Sequence, residues 1–163
     1  MSTLFDPHTF LKEQLKTESI HHSGRTLYEH LSNVEKILKI CRCNDHVCLA
    51  GLFHSIYGTS IFKKQTTNDR QKIKEVIGER AEFLVWIFCN AKRPFCWFFD
   101  KRIPLKNGSH IRIDDLTLKE LHMIESANLI EQQEGLNEIL SFATLDTTKF
   151  DKEYEIYTRD ENV

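Results

Sequence analysis

At 163 residues, with 40% hydrophobic and 28% charged residues and a formal net charge of -2, the chain has the make-up of a soluble globular protein and the length of one well-filled domain. The near-neutral balance supplies no broad cationic field, which argues against nucleic acid as a partner. No apolar run approaches the ~20 residues that span a bilayer, and the opening MSTLFDPHTF has neither a cationic nor an apolar leader region, so a cytoplasmic protein without membrane contact is expected.

Three prolines, six glycines and apolar residues at three- and four-residue spacing predict an all-α fold. Asp6 followed by Pro7 predicts a first helix over 6–17, with Phe10, Leu11 and Leu15 as its stripe. Residues 19–25 read as a turn. A second helix over 26–40 repeats Leu27, Leu31, Val34, Ile37 and Leu38, and His30 falls on that stripe. Asn44 or Asp45 caps a third helix so apolar that it must be central, and Gly58 marks its expected end. Asn68 or Asp69 caps a fourth, which carries Ile73, Val76, Leu84 and Phe88 and is open to a break at Gly78. Residues 92–100 read as an aromatic-rich connection. In residues 103–113, Asn107-Gly108 between two alternating runs predicts a β-hairpin with a type I′ turn, inserted in the helical fold. A last helix starts at Asp114 or Asp115 and ends near Gln133 or continues past Gly135 to Phe142. Residues 1–145 are thus expected to form a single domain and 146–163 a charged C-terminal tail.

The chemical lead is His54, placed inside the apolar run CLAGLFHSIYGT, together with His30 on the preceding helix. Two neutral imidazoles on adjacent helices can ligate one divalent metal ion if oxygen donors complete the shell, or they can form a hydrogen-bonded pair in the core. Arg25 and Arg70 flank the central helix beside turns, where guanidinium forks can bind phosphate. Cys41, Cys43, His46 and Cys48 are too crowded for a zinc cage. The five cysteines, Cys41, Cys43, Cys48, Cys89 and Cys96, read as reduced thiols. Phe95, Trp97, Phe98 and Phe99 suggest a hydrophobic lid or a dimer patch, which leaves a homo-oligomer open.

In order and spacing, SGRTLYEHLSNVEKIL, LAGLFHSIYGT, RQKIKEVIGERAEFLVWIF and LHMIESANLIEQ resemble the HD-domain superfamily over residues 23–132. The similarity is nearest the guanosine-tetraphosphate hydrolase branch and its small relatives. It implies an HD-like helical bundle around a divalent ion, with His30 and His54 as ligands and Asn128 at the place of the later aspartate. Ser55 stands where the histidine-aspartate doublet has its acid, and Tyr57-Gly58 where the hydrolases have an acidic pair. Glu125, three residues before Asn128, is positioned to supply a replacement carboxylate, and Tyr57 a proton. The resemblance therefore implies a metal-dependent phosphohydrolase acting on a nucleotide or other phosphorylated small molecule, with Arg25, Ser55 and Arg70 on the substrate. The alternative is an inactive HD-like module binding a small ligand or a protein partner.

Overall fold

The structure, a computed structural model, describes residues 5–93 and 101–139, with side chains as far as Gln132 in the last helix. The expected aromatic cluster 95–99, Cys96, Leu140, Phe142 and the expected tail 146–163 lie outside these residues.

Asp6 Oδ2 accepts from the Thr9 backbone N–H at 2.9 Å, and Pro7 takes the first position of α1 (Pro7–Thr9). This segment passes into a wider π-helical turn, Phe10–Gln14, which buries Phe10 and Leu11. The regular helix expected over 6–17 is thus shorter, and Lys16 ends it by adopting φ 54°. Residues 19–25 hold more than a turn. Here β1 (His21–His22) pairs antiparallel with β2 (Arg25–Thr26), His22 opposite Arg25. Ser23 and Gly24 link them with φ 47° and 83°, the paired left-handed conformation of a type I′ turn.

Thr26 and Glu29 form a capping box that starts α2 (Leu27–Ile40). Its stripe, from Leu27 to Leu38, is buried as predicted. The central helix α3 (Asp45–Phe53) ends at His54, not at Gly58. The His54 side chain turns back to bond the Gly51 carbonyl at 2.7 Å, satisfying an end-of-helix acceptor, and Gly58 (φ 74°) serves a later turn instead.

Asp69 accepts from Lys72 N–H at 3.0 Å and caps α4 (Arg70–Ile77), which Gly78 (φ 86°) separates from α5 (Glu79–Asn90). The inserted hairpin is present as β3 (Arg102–Pro104) and β4 (His110–Arg112), with Arg102 opposite Arg112. Its turn is not type I′: of the Asn107-Gly108 pair only Gly108 has positive φ, 86°, and its N–H donates to the Leu105 carbonyl at 3.0 Å. Asn107 keeps negative φ while its side-chain oxygen accepts from Ser109 N–H, so the twist is taken up by one left-handed glycine. Asp114 caps α6 (Asp115–Ile139), which runs on through Gly135.

The fold is mostly helical, with two small antiparallel hairpins. α2 packs on α3 and α6, and α3 on α5, around a continuous apolar core. The α2–α3 crossing is tight at Gly51, where a Cβ would stand 2.2 Å from Leu38 Cδ1 and 3.3 Å from Val34 Cγ1. Gly51→Ala gains at most about 1 kcal/mol of helix propensity. Overpacking a filled core costs about 1–3 kcal/mol, and Leu38, whose side chain would have to move, is buried. A lower urea midpoint at unchanged m-value is expected, and Gly51→Ala with Leu38→Ala should cost less together than the sum of the two alone, because the smaller side chain removes the clash.

Candidate functional site

The crossing of α2 and α3 brings His30 and His54 edge to edge, Nε2 to Nε2 at 3.2 Å, both fully buried. Each ring is oriented from its other nitrogen. His54 Nδ1–H donates to the Gly51 carbonyl, and His30 Nδ1 meets the carboxylate of Glu131, delivered from α6. Arg25, at the end of the first hairpin, donates to the same carboxylate, and Asn33 Nδ2 donates to its other oxygen at 3.4 Å. With Nδ1 of His54 protonated, its Nε2 is a lone pair, and a lone pair facing a lone pair at 3.2 Å would repel. A proton on His30 Nε2 removes the conflict, and His30 then donates at both ends of its ring. The circuit from Gly51 through His54 and His30 to Glu131 and Arg25 is closed by hydrogen bonds alone.

His22 lies flat on His30, ring centroids 4.1 Å apart and planes 14° from parallel, with Phe62 against its other side at 4.8 Å. Burial, and then the nearby charge of His30 and Arg25, lowers the His22 imidazole to about 4. Burial and His30 likewise hold His54 well below the ordinary histidine value. Burial pushes the Glu131 carboxyl up, but the hydrogen bonds and charges of His30 and Arg25 outweigh it and leave Glu131 below the usual glutamate range.

Beside this circuit opens a cavity of about 410 Å³, lined in part by His22, His54, Ser55, Arg93, Glu125 and Asn128. On α6, Glu125 and Asn128 share a face at three-residue spacing, and Asn128 Nδ2 donates to Glu125 Oε2 at 3.2 Å. Arg93 Nη2 donates to the same oxygen at 2.6 Å, so the carboxylate expected as a replacement ligand is taken up by an arginine. Ser55 Oγ, Asn128 Oδ1 and His22 Nδ1 are buried and have no partner within the protein.

His54, Ser55, Asn128 and Glu125 thus line one cavity, His30 stands behind it against His54, and Arg25 reaches His30 through Glu131. Tyr57 and Arg70 do not line this cavity. Arg70 forks onto the buried Glu82 with bonds of 2.6 and 2.8 Å, and the Tyr57 hydroxyl donates to Glu82 at 3.0 Å. Burial and the Glu82 charge push the Tyr57 phenol up, which suits a fixed donor and not a proton carrier. Sequence reasoning passed over Glu131, Arg93 and His22. Glu131 carried a signal, lying three residues after Asn128 and so next to it on the surface of α6.

Nitrogens 3.2 Å apart span what two ligands of one ion show at bonds of about 2.0–2.1 Å. The remaining donors do not fit a water-activating divalent ion. Among the described residues no group of three His, Cys, Asp or Glu side chains is arranged to hold one metal ion, and the nearby oxygens of Ser55 and Asn128 are uncharged. Neutral donors neither attract a hard cation strongly nor anchor it for hydrolysis.

A family model described as a domain of unknown function, DUF6817, matches residues 10–93, just over half of the chain. The chain belongs to the DUF6817 family. No curated protein and no solved structure matches it. The DUF6817 segment carries His22, Arg25, His30, His54, Ser55 and Arg93, whereas Glu125, Asn128 and Glu131 come from α6, beyond it.

Because His22 binds its proton near 4 when folded and near 6.5 when unfolded, the unfolded chain protonates first as pH falls. The stability that neutral His22 contributes is complete above about pH 6.5, declines below that, and is lost once pH passes 4, an effect of roughly 3 kcal/mol. Urea midpoints should fall between about pH 6.5 and 4, with little change above that window, and His22→Phe, which keeps the stack, should flatten the slope. Glu131→Gln leaves Arg25 and His30 without their anion and should cost roughly 3–5 kcal/mol at neutral pH.

Proposed function

We propose that this chain is an HD-like helical domain whose pocket binds a small polar molecule without a catalytic ion. The reading is carried by one observation: three buried polar atoms, Ser55 Oγ, Asn128 Oδ1 and His22 Nδ1, belong to the wall of one cavity and have no protein partner. Each such group left unpaired costs about 1–3 kcal/mol, so a molecule that supplies the missing partners gains more here than at an ordinary surface. The histidine circuit supports the same reading, since its donors and acceptors are matched with no ion.

Chemically, the site orients and holds. His54 has both ring nitrogens committed, to Gly51 and His30, and does not stand ready as a general base toward the cavity, while Oε2 of Glu125 is held by Arg93 and Asn128. A second reading, a metal-dependent phosphohydrolase acting on a nucleotide or another phosphorylated small molecule, is favoured by the Nε2 separation of His30 and His54.

Two measurements separate these readings. Protein purified without chelator should carry well under one divalent ion per chain and show no phosphoester turnover, and His30→Ala should leave that baseline unchanged. A nuclear magnetic resonance screen of small polar fragments should give binders that shift the backbone amides of Ser55 and Asn128, with the shifts lost in Asn128→Leu. One ion per chain together with turnover abolished by His30→Ala establishes the hydrolase instead, and absence of any fragment that moves those amides removes the pocket reading.

A further inference from the structure

Resting on the reading of the cavity as a ligand pocket, its wall also restricts what the ligand can be. Charge comes first. Among the described lining residues of Asp, Glu, Lys or Arg type stand Arg93 and Glu125, and these two pair with each other at 2.6 Å, both nearly fully buried. Arg93 also lies over the Phe88 ring at 4.2 Å, which leaves it little freedom to swing toward another anion. A phosphate entering here would face a carboxylate as close as the guanidinium, and breaking the pair would strand a buried charge. The wall offers no net charge to an anion.

Hydrogen-bonding capacity comes second. Asn128 uses one of its two amide N–H donors on Glu125, while its Oδ1 acceptor has no partner and requires a donor from the ligand. Arg93 Nε–H, buried and unpartnered, requires an acceptor. Ser55 Oγ can serve either role. A donor and an acceptor side by side on the ligand, as on the N–H and C=O edge of a carboxamide, answer this wall.

The rim adds a third restriction. Three large apolar side chains are exposed among the described residues, Ile61 at 60%, Leu116 at 57% and Leu129 at 40%, and two of them, Ile61 and Leu129, line this cavity beside Phe62. Exposed side chains of this size on the rim of a polar cavity suit an apolar body attached to the polar head.

We infer that the pocket takes an uncharged amphiphilic small molecule with a carboxamide-like donor–acceptor edge, seated on Asn128, Ser55 and Arg93, and an apolar body against Phe62, Ile61 and Leu129. A phosphorylated or carboxylate ligand is disfavoured by the same wall. Benzamide, benzoate and phenyl phosphate present one ring with an amide, a monoanion and a phosphate, and they are the probes. Titrated into the full chain at millimolar concentration and followed by amide shifts of Ser55, Phe62 and Asn128, benzamide should bind at least about tenfold more tightly than either anion, the size expected when a buried polar group loses its partner. Asn128→Leu and, separately, Ser55→Ala should each weaken benzamide by about three- to tenfold, while the amide spectrum elsewhere confirms folding. Equal or tighter binding of benzoate or phenyl phosphate overturns the inference and leaves the pocket reading standing. The same holds if other polar fragments shift these amides and benzamide does not. If no polar fragment binds, both fall.

Discussion

Everything at the site depends on how closely two helices approach one another at a residue with no side chain. Gly51 faces Val34 and Leu38 across the α2–α3 crossing with no space for a methyl group. That approach carries His54, one turn further along, to 3.2 Å from His30. The same glycine lends its carbonyl to His54 Nδ1, which sets the tautomer and ends the helix. One position therefore fixes the interaxial distance, the ring orientation and the point where α3 stops. A wider crossing would separate the two imidazoles and leave each with a buried, unmatched nitrogen.

Around that crossing the chain buries carboxylates in a repeated manner. Glu35, Glu82, Glu120, Glu125 and Glu131 are each exposed by 4% or less, and each meets a cationic or histidine side chain from a different segment. His8 of α1 reaches Glu35, Arg70 of α4 reaches Glu82, Arg80 of α5 and His46 of α3 share Glu120, and Arg93 and Arg25 reach α6 at Glu125 and Glu131. Buried pairs of this kind add little net stability over an apolar contact of equal size, but removing one partner is costly. Their effect here is on register: five carboxylates each accept only one arrangement of the neighbouring element. Three of the five sit on α6, which ties the last helix to most of the others.

Apolar periodicity was enough to read the helices, because the core stripes of α2 and α3 are continuous and the caps at Asp6, Asp69 and Asp114 are of the expected type. His30 could be placed from its neighbours on that stripe. Backbone detail was less accessible. The type I′ turn belongs to Ser23-Gly24 and not to Asn107-Gly108, since a hairpin dipeptide states a preference that the surrounding hydrogen bonds then accept or refuse. The site was half legible. Histidines in an apolar run stand out, whereas Glu131 looks like any helical glutamate until a distant arginine and imidazole are folded against it. Tyr57 and Arg70 were drawn away from the pocket by Glu82, a buried acid whose partners no local pattern announces.

Asn128 and Glu131 lie on consecutive turns of α6, about 4.5 Å apart along its axis. One takes part in the wall of the chamber and the other grips the imidazole behind it. Both are carried by one continuous helix, so the wall of the chamber and the anchor of the buried imidazole keep a fixed spacing along a single axis.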